Sequence, residues 1–191
     1  MSPTAFWWRQ ATDGYTPVMD MVVIPDTTGS RTGTLVFSDL RYNCALGRGG
    51  VVPDKREGDG TTPAGRFPLR RVFYRPDRLD APRTILPIRP LKPEDGWCDD
   101  PGDPGYNQAV TLPHGGHCET LWREDEAYDV IVVIGHNDAP VCHGMDSAIF
   151  LHLATPDYTP TKGCVTVARS DVLDILAAVI PNTGIDIQAG E

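Results

Sequence analysis

Two residues in the C-terminal half of the chain have the types needed for nucleophilic catalysis. Cys164 directly follows a glycine at the start of a predicted strand, and His152 lies near the end of the strand predicted before it. A free thiol is mostly protonated at neutral pH, so a cysteine nucleophile needs a base such as imidazole beside it. If the fold brings the two side chains together, the chain can carry out acyl transfer through a thioester.

Side-chain alternation along both predicted strands places the thiol and the imidazole on comparable faces. Successive side chains of a strand point to opposite faces of the sheet. The branched aliphatic residues that alternate with His152 and Cys164 are Ile149, Leu151, Leu153, Val165 and Val167. We expect this apolar row to pack into a core and the reactive groups to face a cleft. A buried structural cysteine with an unrelated histidine fits the pattern equally well, because free cysteine is often buried.

The order of residues around Cys164 matches a known signature. Thr161, Gly163 and Cys164 stand in the order serine or threonine, histidine, glycine, cysteine, with Lys162 in place of the histidine, and His152 matches the leading histidine. The segment 147–167 therefore resembles the catalytic domain of the L,D-transpeptidases, the YkuD family.

A second segment extends this similarity over most of the chain, from about residue 35 to residue 178. Residues 55–67 contain Thr62-Pro63-Ala64-Gly65. They are similar to the family segment in which a Thr-Pro-x-Gly turn precedes a strand. Two positions depart from the family pattern. Lys162 suggests a subgroup without the second histidine, and Thr166-Val167 replaces an arginine-containing ending, which puts the usual contact with a substrate carboxylate in doubt.

The resemblance implies a fold, a substrate and a mechanism. It implies a mainly β, β-sandwich-like catalytic fold in one domain covering residues 1–191. It also implies a peptidoglycan stem peptide or muropeptide as substrate, no cofactor, and carbapenem-type compounds as possible inhibitors. Cys164 would form the thioester, His152 would be the base, and the turn at Gly163 would supply the oxyanion hole. Transfer to an amine would give an L,D-transpeptidase, whereas transfer to water would give an L,D-carboxypeptidase of muropeptide recycling.

Composition narrows the possible partners and the location. The chain has 191 residues, 40% of them hydrophobic, which suits one domain with a sizeable core. A net charge of −9 argues against nucleic acid and against a polybasic membrane anchor. No apolar run is long enough to span a bilayer. The first ten residues lack the pattern of a secretory signal, so we expect a cytoplasmic protein, or a periplasmic one if a leader was removed.

Five cysteines without regular spacing make a poor disulfide framework. Zinc is an alternative explanation, because it prefers sulfur and imidazole ligands. The candidate ligands are His114, His117, Cys118, His136, Cys142 and His143. These residues lie in glycine-rich loops without a repeated cysteine pair, so we expect no metal site.

The chain is mostly strands and turns, since 18 prolines and 19 glycines interrupt it. Strands are predicted at residues 18–24, 34–37, 67–74, 109–112, 130–134, 148–153, 164–168 and 185–188. The continuously apolar residues 130–134 predict a strand buried on both faces. One helix is predicted from Asp171 to Ile180, capped by Ser170 or Asp171 and ended by Pro181, and a short helical turn is predicted near residues 119–124.

Residues 75–107 form a proline-rich segment that we interpret as an irregular insertion. Long loops inside compact domains are often functional, so we expect a lid or wall of the cleft; a packed surface loop fits equally well. The residues predicted to contact substrate are His136, Thr161, Lys162, Trp97, Tyr106 and Asn107. A function from another class also stays open: a catalytically inactive relative that binds stem peptides.

Overall fold

The computed structural model describes residues 19–190, and the mainly β fold class expected from the sequence is confirmed. The strands are β1 (Met21–Pro25), β2 (Thr32–Phe37), β3 (Leu40–Ala45), β4 (Val51–Val52), β5 (Thr62–Pro63), β6 (Gly65–Tyr74), β7 (Ile88–Pro90), β8 (Asp95–Cys98), β9 (Ala109–Thr111), β10 (Cys118–Thr120), β11 (Val130–Ile134), β12 (Phe150–Leu153), β13 (Val165–Val167) and β14 (Gly184–Ile187). The helix is α1 (Arg169–Ala178).

Strand pairing joins eight of these strands into a closed ring. The order is β11-β12-β13-β3-β2-β1-β14-β6, and β6 pairs back to β11. The long strand β6 closes the ring because its first half pairs with β14 and its second half pairs with β11. Strand β7 adds to β6 as a parallel neighbour. Closure of this kind leaves few strand edges exposed.

The main hydrophobic core fills the inside of the ring. Alternate residues of each strand point inward, as the two-residue period of a strand requires. From β12 and β13 this core receives Leu151, Leu153, Val165 and Val167, which is the aliphatic row expected from the sequence. Strand β11 contributes Val130, Val132 and Ile134.

Helix α1 contributes Val172, Ile175 and Leu176 to the same core. The helix begins and ends two residues earlier than predicted. Ala168 occupies the N-cap position without a side-chain hydrogen bond, so the expected cap at Ser170 or Asp171 is wrong. At the other end, Val179 is already extended, two residues before Pro181. Within residues 19–190 no helix has the length and apolar character needed to cross a membrane.

A second, smaller core lies on the outer face of β11 and β12. Ile131, Val133 and Phe150 point outward and are buried, so β11 is covered on both faces as predicted. The cover is the three-stranded sheet β10-β8-β9, together with Leu91, Leu121 and Tyr128. The segment 75–107 is therefore less irregular than expected, because β7 and β8 belong to it.

Strands that combine aliphatic residues with clear periodicity were predicted well, and β11 was predicted with its observed bounds. Val18, where the first strand was expected to begin, lies outside the described residues. The prediction missed β3, β8 and β10, whose sequences are rich in polar residues or glycine, and the strands β4, β5 and β7, which have only two or three residues each. The expected helical turn at residues 119–124 is wrong, because Glu119 and Thr120 pair with β8.

The double burial of β11 leads to a stability prediction. Ile131→Ala should lower the free energy of unfolding by about 2–5 kcal/mol, because Ile131 is fully buried in the outer core and its removal leaves a cavity. Urea unfolding measures the change. Ile85→Ala is the control, because Ile85 is 59% exposed and should change stability by less than about 0.5 kcal/mol. Equal effects of the two variants would contradict a packed outer core.

Candidate active site

An open cleft of about 590 Å³ lies where β12 and β13 face the small sheet. His152 and Cys164 both line it, as do Thr161, Lys162 and Gly163. The opposite wall includes Asp99, His117 and Glu119 from β10 and the segments beside β8 and β10. The cleft therefore lies between the closed ring and its outer cover.

The register of two parallel strands brings Cys164 and His152 to one face. Leu151 pairs with Val165 and His152 pairs with Thr166, so Cys164 precedes the paired stretch by one residue. Strand spacings place the backbones of Cys164 and His152 roughly 8 Å apart on the diagonal. Both residues are 8% exposed, at the floor of the cleft.

Hydrogen bonds fix which nitrogen of His152 carries the proton. Nδ1 lies 3.1 Å from the carbonyl oxygen of Leu153 and 3.2 Å from that of Ala127. Because a carbonyl only accepts, Nδ1 must be the donor, and Nε2 is left with a lone pair. Burial lowers the pKa of His152 to about 4, against the opposing effect of these carbonyls. The imidazole is therefore neutral at pH 7 and able to accept a proton.

The Cys164 thiol is protonated at rest. It donates to the carbonyl oxygen of Ala148 at 3.3 Å. Burial raises the pKa of Cys164, and the nearby Glu119 carboxylate raises it further, whereas the Phe150 N–H and the Lys55 ammonium oppose the shift. The floor of the cleft therefore holds a neutral thiol and a neutral imidazole.

The turn before Cys164 requires glycine. Gly163 has φ +156°, and a Cβ there would lie 2.9 Å from the carbonyl oxygen of Thr61. The Gly163 N–H donates to Thr161 Oγ1 at 3.1 Å, and the Thr161 hydroxyl donates to the Cys164 carbonyl at 2.6 Å. The Gly163 N–H is therefore engaged inside the turn, where we had expected an oxyanion donor. Thr161, predicted to contact substrate, lines the cleft and also holds this turn together.

The other predicted substrate contacts separate into two groups. Lys162 is exposed on the cleft rim. His136, Trp97, Tyr106 and Asn107 are not among the cleft-lining residues.

The four residues away from the cleft have packing partners instead. Trp97 packs edge-on against Phe150 and donates from Nε1 to Asn107 Oδ1 at 3.0 Å. The Tyr106 hydroxyl donates to Glu57. His136 packs edge-on against Phe67.

The Asn107 side chain makes several of the hydrogen bonds behind the cleft wall. Its Oδ1 also accepts the N–H of Ala148 at 3.1 Å, and its Nδ2 donates to the carbonyls of His136 and Asn137. These bonds tie the small sheet to the loop that precedes β12. Asn107 therefore supports the residue whose carbonyl accepts from the Cys164 thiol.

Lys55 is a site residue that sequence reasoning missed. Its side chain is buried, with ion pairs to Asp59 at 2.7 Å and to Asp146 at 3.0 Å. Its Cε lies 3.2 Å from the position a Gly163 Cβ would occupy, so the ammonium sits under the nucleophile turn. Burial raises the pKa of Asp146 to about 7, more than Lys55 lowers it. The only sequence signal was the similarity of residues 55–67 to a family segment, which gave no role to the lysine.

Tyr128, Glu119 and Thr166 were also missed. Tyr128 packs edge-on against the His152 ring, with centroids 4.9 Å apart, and its hydroxyl donates to Glu119 Oε1 at 2.8 Å. Burial raises the pKa of Glu119. Thr166, paired with His152, lines the cleft, and its buried Oγ1 has no hydrogen-bond partner among residues 19–190. Their positions depend on contacts between distant segments, which the sequence did not reveal.

Comparison with solved structures finds L,D-transpeptidase 1 of Mycobacterium tuberculosis, with 13% sequence identity and a TM-score of 0.38. The similarity covers 88% of this chain and 62% of that one, so the present chain spans less than two thirds of that protein's length. No curated protein matches the chain significantly.

Comparison with protein-family profiles finds a match over most of the chain. The profile of the L,D-transpeptidase catalytic domain, YkuD, matches residues 21–187, a longer stretch than the resemblance noted from the sequence. The matched region begins with β1, ends with β14, and includes the whole cleft. The chain therefore belongs to the L,D-transpeptidase catalytic domain family.

Proposed function

We propose that this protein transfers the acyl group of a peptidoglycan stem peptide through a thioester on Cys164. One observation carries the proposal: the Cys164 thiol and a neutral imidazole with an available Nε2 line the same cleft. Family membership supports the substrate class. The substrate bond would be the one between the L-centre of diaminopimelate and the terminal D-alanine.

The residues act in two half-reactions. Cys164 Sγ attacks the carbonyl carbon while His152 Nε2 takes the thiol proton. The carbon–nitrogen bond then breaks, His152 gives the proton to the leaving amine, and the thioester remains. In the second half-reaction water or an amine attacks, His152 takes its proton, and the departing sulfur regains it. We assign the oxyanion to the N–H of Cys164, because the Gly163 N–H is engaged with Thr161.

The charges around the cleft suit a substrate that carries both signs. Arg48, Arg123 and Lys162 line it, and so do Glu57 and Asp99. A stem peptide with diaminopimelate presents free carboxylates and a free amine. Within a protein of net charge −9, the cationic side chains give the carboxylates a favourable place to bind.

Product analysis tests the proposal and separates its two versions. Incubation with a disaccharide tetrapeptide should release D-alanine with the wild-type protein and not with Cys164→Ala. Mass spectrometry then shows whether water gives a tripeptide, which indicates an L,D-carboxypeptidase, or an amine gives a cross-linked dimer, which indicates a transpeptidase. Binding of the tetrapeptide without D-alanine release would overturn the proposal and favour an inactive stem-peptide-binding module, an alternative that the strong burial of the thiol supports.

A carbapenem provides an independent test of the nucleophile. We expect one covalent adduct by intact-protein mass spectrometry, because a β-lactam carbonyl accepts a thiolate and leaves a stable thioester. Cys164→Ala should lose the adduct completely. Cys142→Ala is the matched control, because Cys142 is exposed and outside the cleft lining, and it should retain the adduct. Loss of labelling in the control with retention in Cys164→Ala would contradict the assignment.

The pH profile tests the role of His152. His152→Ala should lower kcat/KM by roughly 10²–10⁴-fold, a range typical of a general base. In the wild-type protein the acid limb should lie near pH 4, since the imidazole becomes protonated as pH falls through its pKa of about 4 and then cannot accept the thiol proton.

The titration of Asp146 has to be distinguished from that of His152 in this profile, because the pKa of Asp146 is raised to about 7. The profile should therefore be recorded for Asp146→Asn as well, with circular dichroism at each pH to verify folding. An acid limb near pH 6.5, the ordinary value for histidine, that persists in Asp146→Asn would contradict a buried neutral base.

A further inference from the structure

Three ligand-type side chains meet on the small sheet, outside the lining of the cleft. The sulfur atoms of Cys98 and Cys118 and a ring nitrogen of His114 all lie within 4.8 Å of one another. Cys98 and Cys118 face each other across β8 and β10. The neighbouring pair is joined by a hydrogen bond from the Asp99 N–H to the His117 carbonyl, so the cysteines occupy the non-hydrogen-bonded position, where opposite side chains approach most closely.

Asp103 places a carboxylate at the edge of this cluster. Its Oδ2 lies 3.1 Å from His114 Nε2. The other oxygen, Oδ1, accepts the Gly105 N–H at 2.7 Å, which fixes the carboxylate orientation. Two sulfurs, one imidazole nitrogen and one carboxylate oxygen make a set of four.

The imidazole of His114 supplies a separate observation. Its Nε2 is buried and has no hydrogen-bond partner among residues 19–190. The Asp103 oxygen is near enough for a hydrogen bond but does not lie in the required direction. A buried polar atom without a partner is costly unless something else satisfies it. A cation held between His114, Asp103 and the two sulfurs would do so.

We propose that Cys98, Asp103, His114 and Cys118 bind one zinc ion. Zinc takes four ligands tetrahedrally, and sulfur, imidazole and carboxylate are its usual ligands. Binding requires both thiols to lose their protons to the solvent, and the imidazole coordinates in its neutral form. The complex of a divalent cation with two thiolates and one carboxylate carries a net charge of −1. The ion stays at the +2 oxidation state, so no redox partner is needed.

The site is structural, because four protein ligands leave no open position for substrate. Its ligands are next to residues that line the cleft: Asp99 follows Cys98, while His117 and Glu119 flank Cys118. The ion would fix β8 to β10 and to the loop that carries His114, and so hold the outer wall of the cleft. This inference does not depend on the proposed acyl transfer, because it concerns the wall and not the nucleophile.

Metal titration of the whole protein tests the proposal. Protein prepared with a chelator and a thiol reductant should bind one equivalent of Zn²⁺, measured by competition with a chromophoric chelator. Bound Zn²⁺ should raise the melting temperature, because only the folded state assembles the four ligands. Co²⁺ in place of Zn²⁺ should show thiolate-to-metal charge transfer and the ligand-field bands of a tetrahedral ion, which reports sulfur ligation without any substitution.

Matched variants locate the ion. Three variants, Cys98→Ser, Cys118→Ser and His114→Ala, should each weaken Zn²⁺ affinity by at least roughly 100-fold. Even the mutation of residues that only hydrogen-bond to a metal ligand typically costs 10–100-fold in affinity. The controls Cys142→Ser and His117→Ala should bind as the wild type does, because those side chains lie outside the cluster. Cys164→Ala should also bind normally.

Three results would overturn the proposal. The first is the absence of stoichiometric binding in the reduced protein. The second is a loss of binding in Cys164→Ala, which would place the ion at the nucleophile. The third is a Co²⁺ spectrum without thiolate bands.

Discussion

The parallel pairing of β12 with β13 is the constraint on which the site depends. Its register sets Leu151 beside Val165 inside the ring and leaves His152 and Cys164 on the outer face. Because the side-chain period of a strand is two, a slip of one residue in either strand would turn its aliphatic residues outward and turn His152 or Cys164 into the inner core. The stability of the inner core and the positions of His152 and Cys164 are therefore set by the same contacts.

Burial then determines the chemical state of that pair. Loss of solvent disfavours both charged forms, so the pKa of His152 is lowered while that of Cys164 is raised. At neutral pH the site therefore contains a neutral imidazole and a protonated thiol, and not an imidazolium and a thiolate. Beneath the turn, the buried Lys55 ammonium is paired with Asp59 and Asp146. In the acyl transfer that we propose, this positive charge would lie close to where negative charge develops.

The small outer sheet converts an exposed strand face into a cleft. Trp97 and Leu121 cover Phe150 and the outer side of β11, so the same sheet supplies a second core and the far wall. Asn107 ties this sheet to the loop before β12 by hydrogen bonds in three directions. A zinc ion on Cys98, Cys118 and His114 would make the small sheet itself more rigid, because these residues belong to β8, to β10 and to the loop between β9 and β10.

Local order along the chain was enough to predict the buried strand β11, the inward aliphatic row and the glycine before Cys164. These features follow from side-chain period and backbone sterics, which neighbouring residues decide. The roles of His152 and Cys164 came from the resemblance to a known family. Only the tertiary structure gave Lys55 its place under the turn, moved Trp97 and Asn107 from the expected substrate contacts to packing, and grouped Cys98 with His114. Such contacts join segments distant along the chain, and burial and strand pairing across the fold determine them.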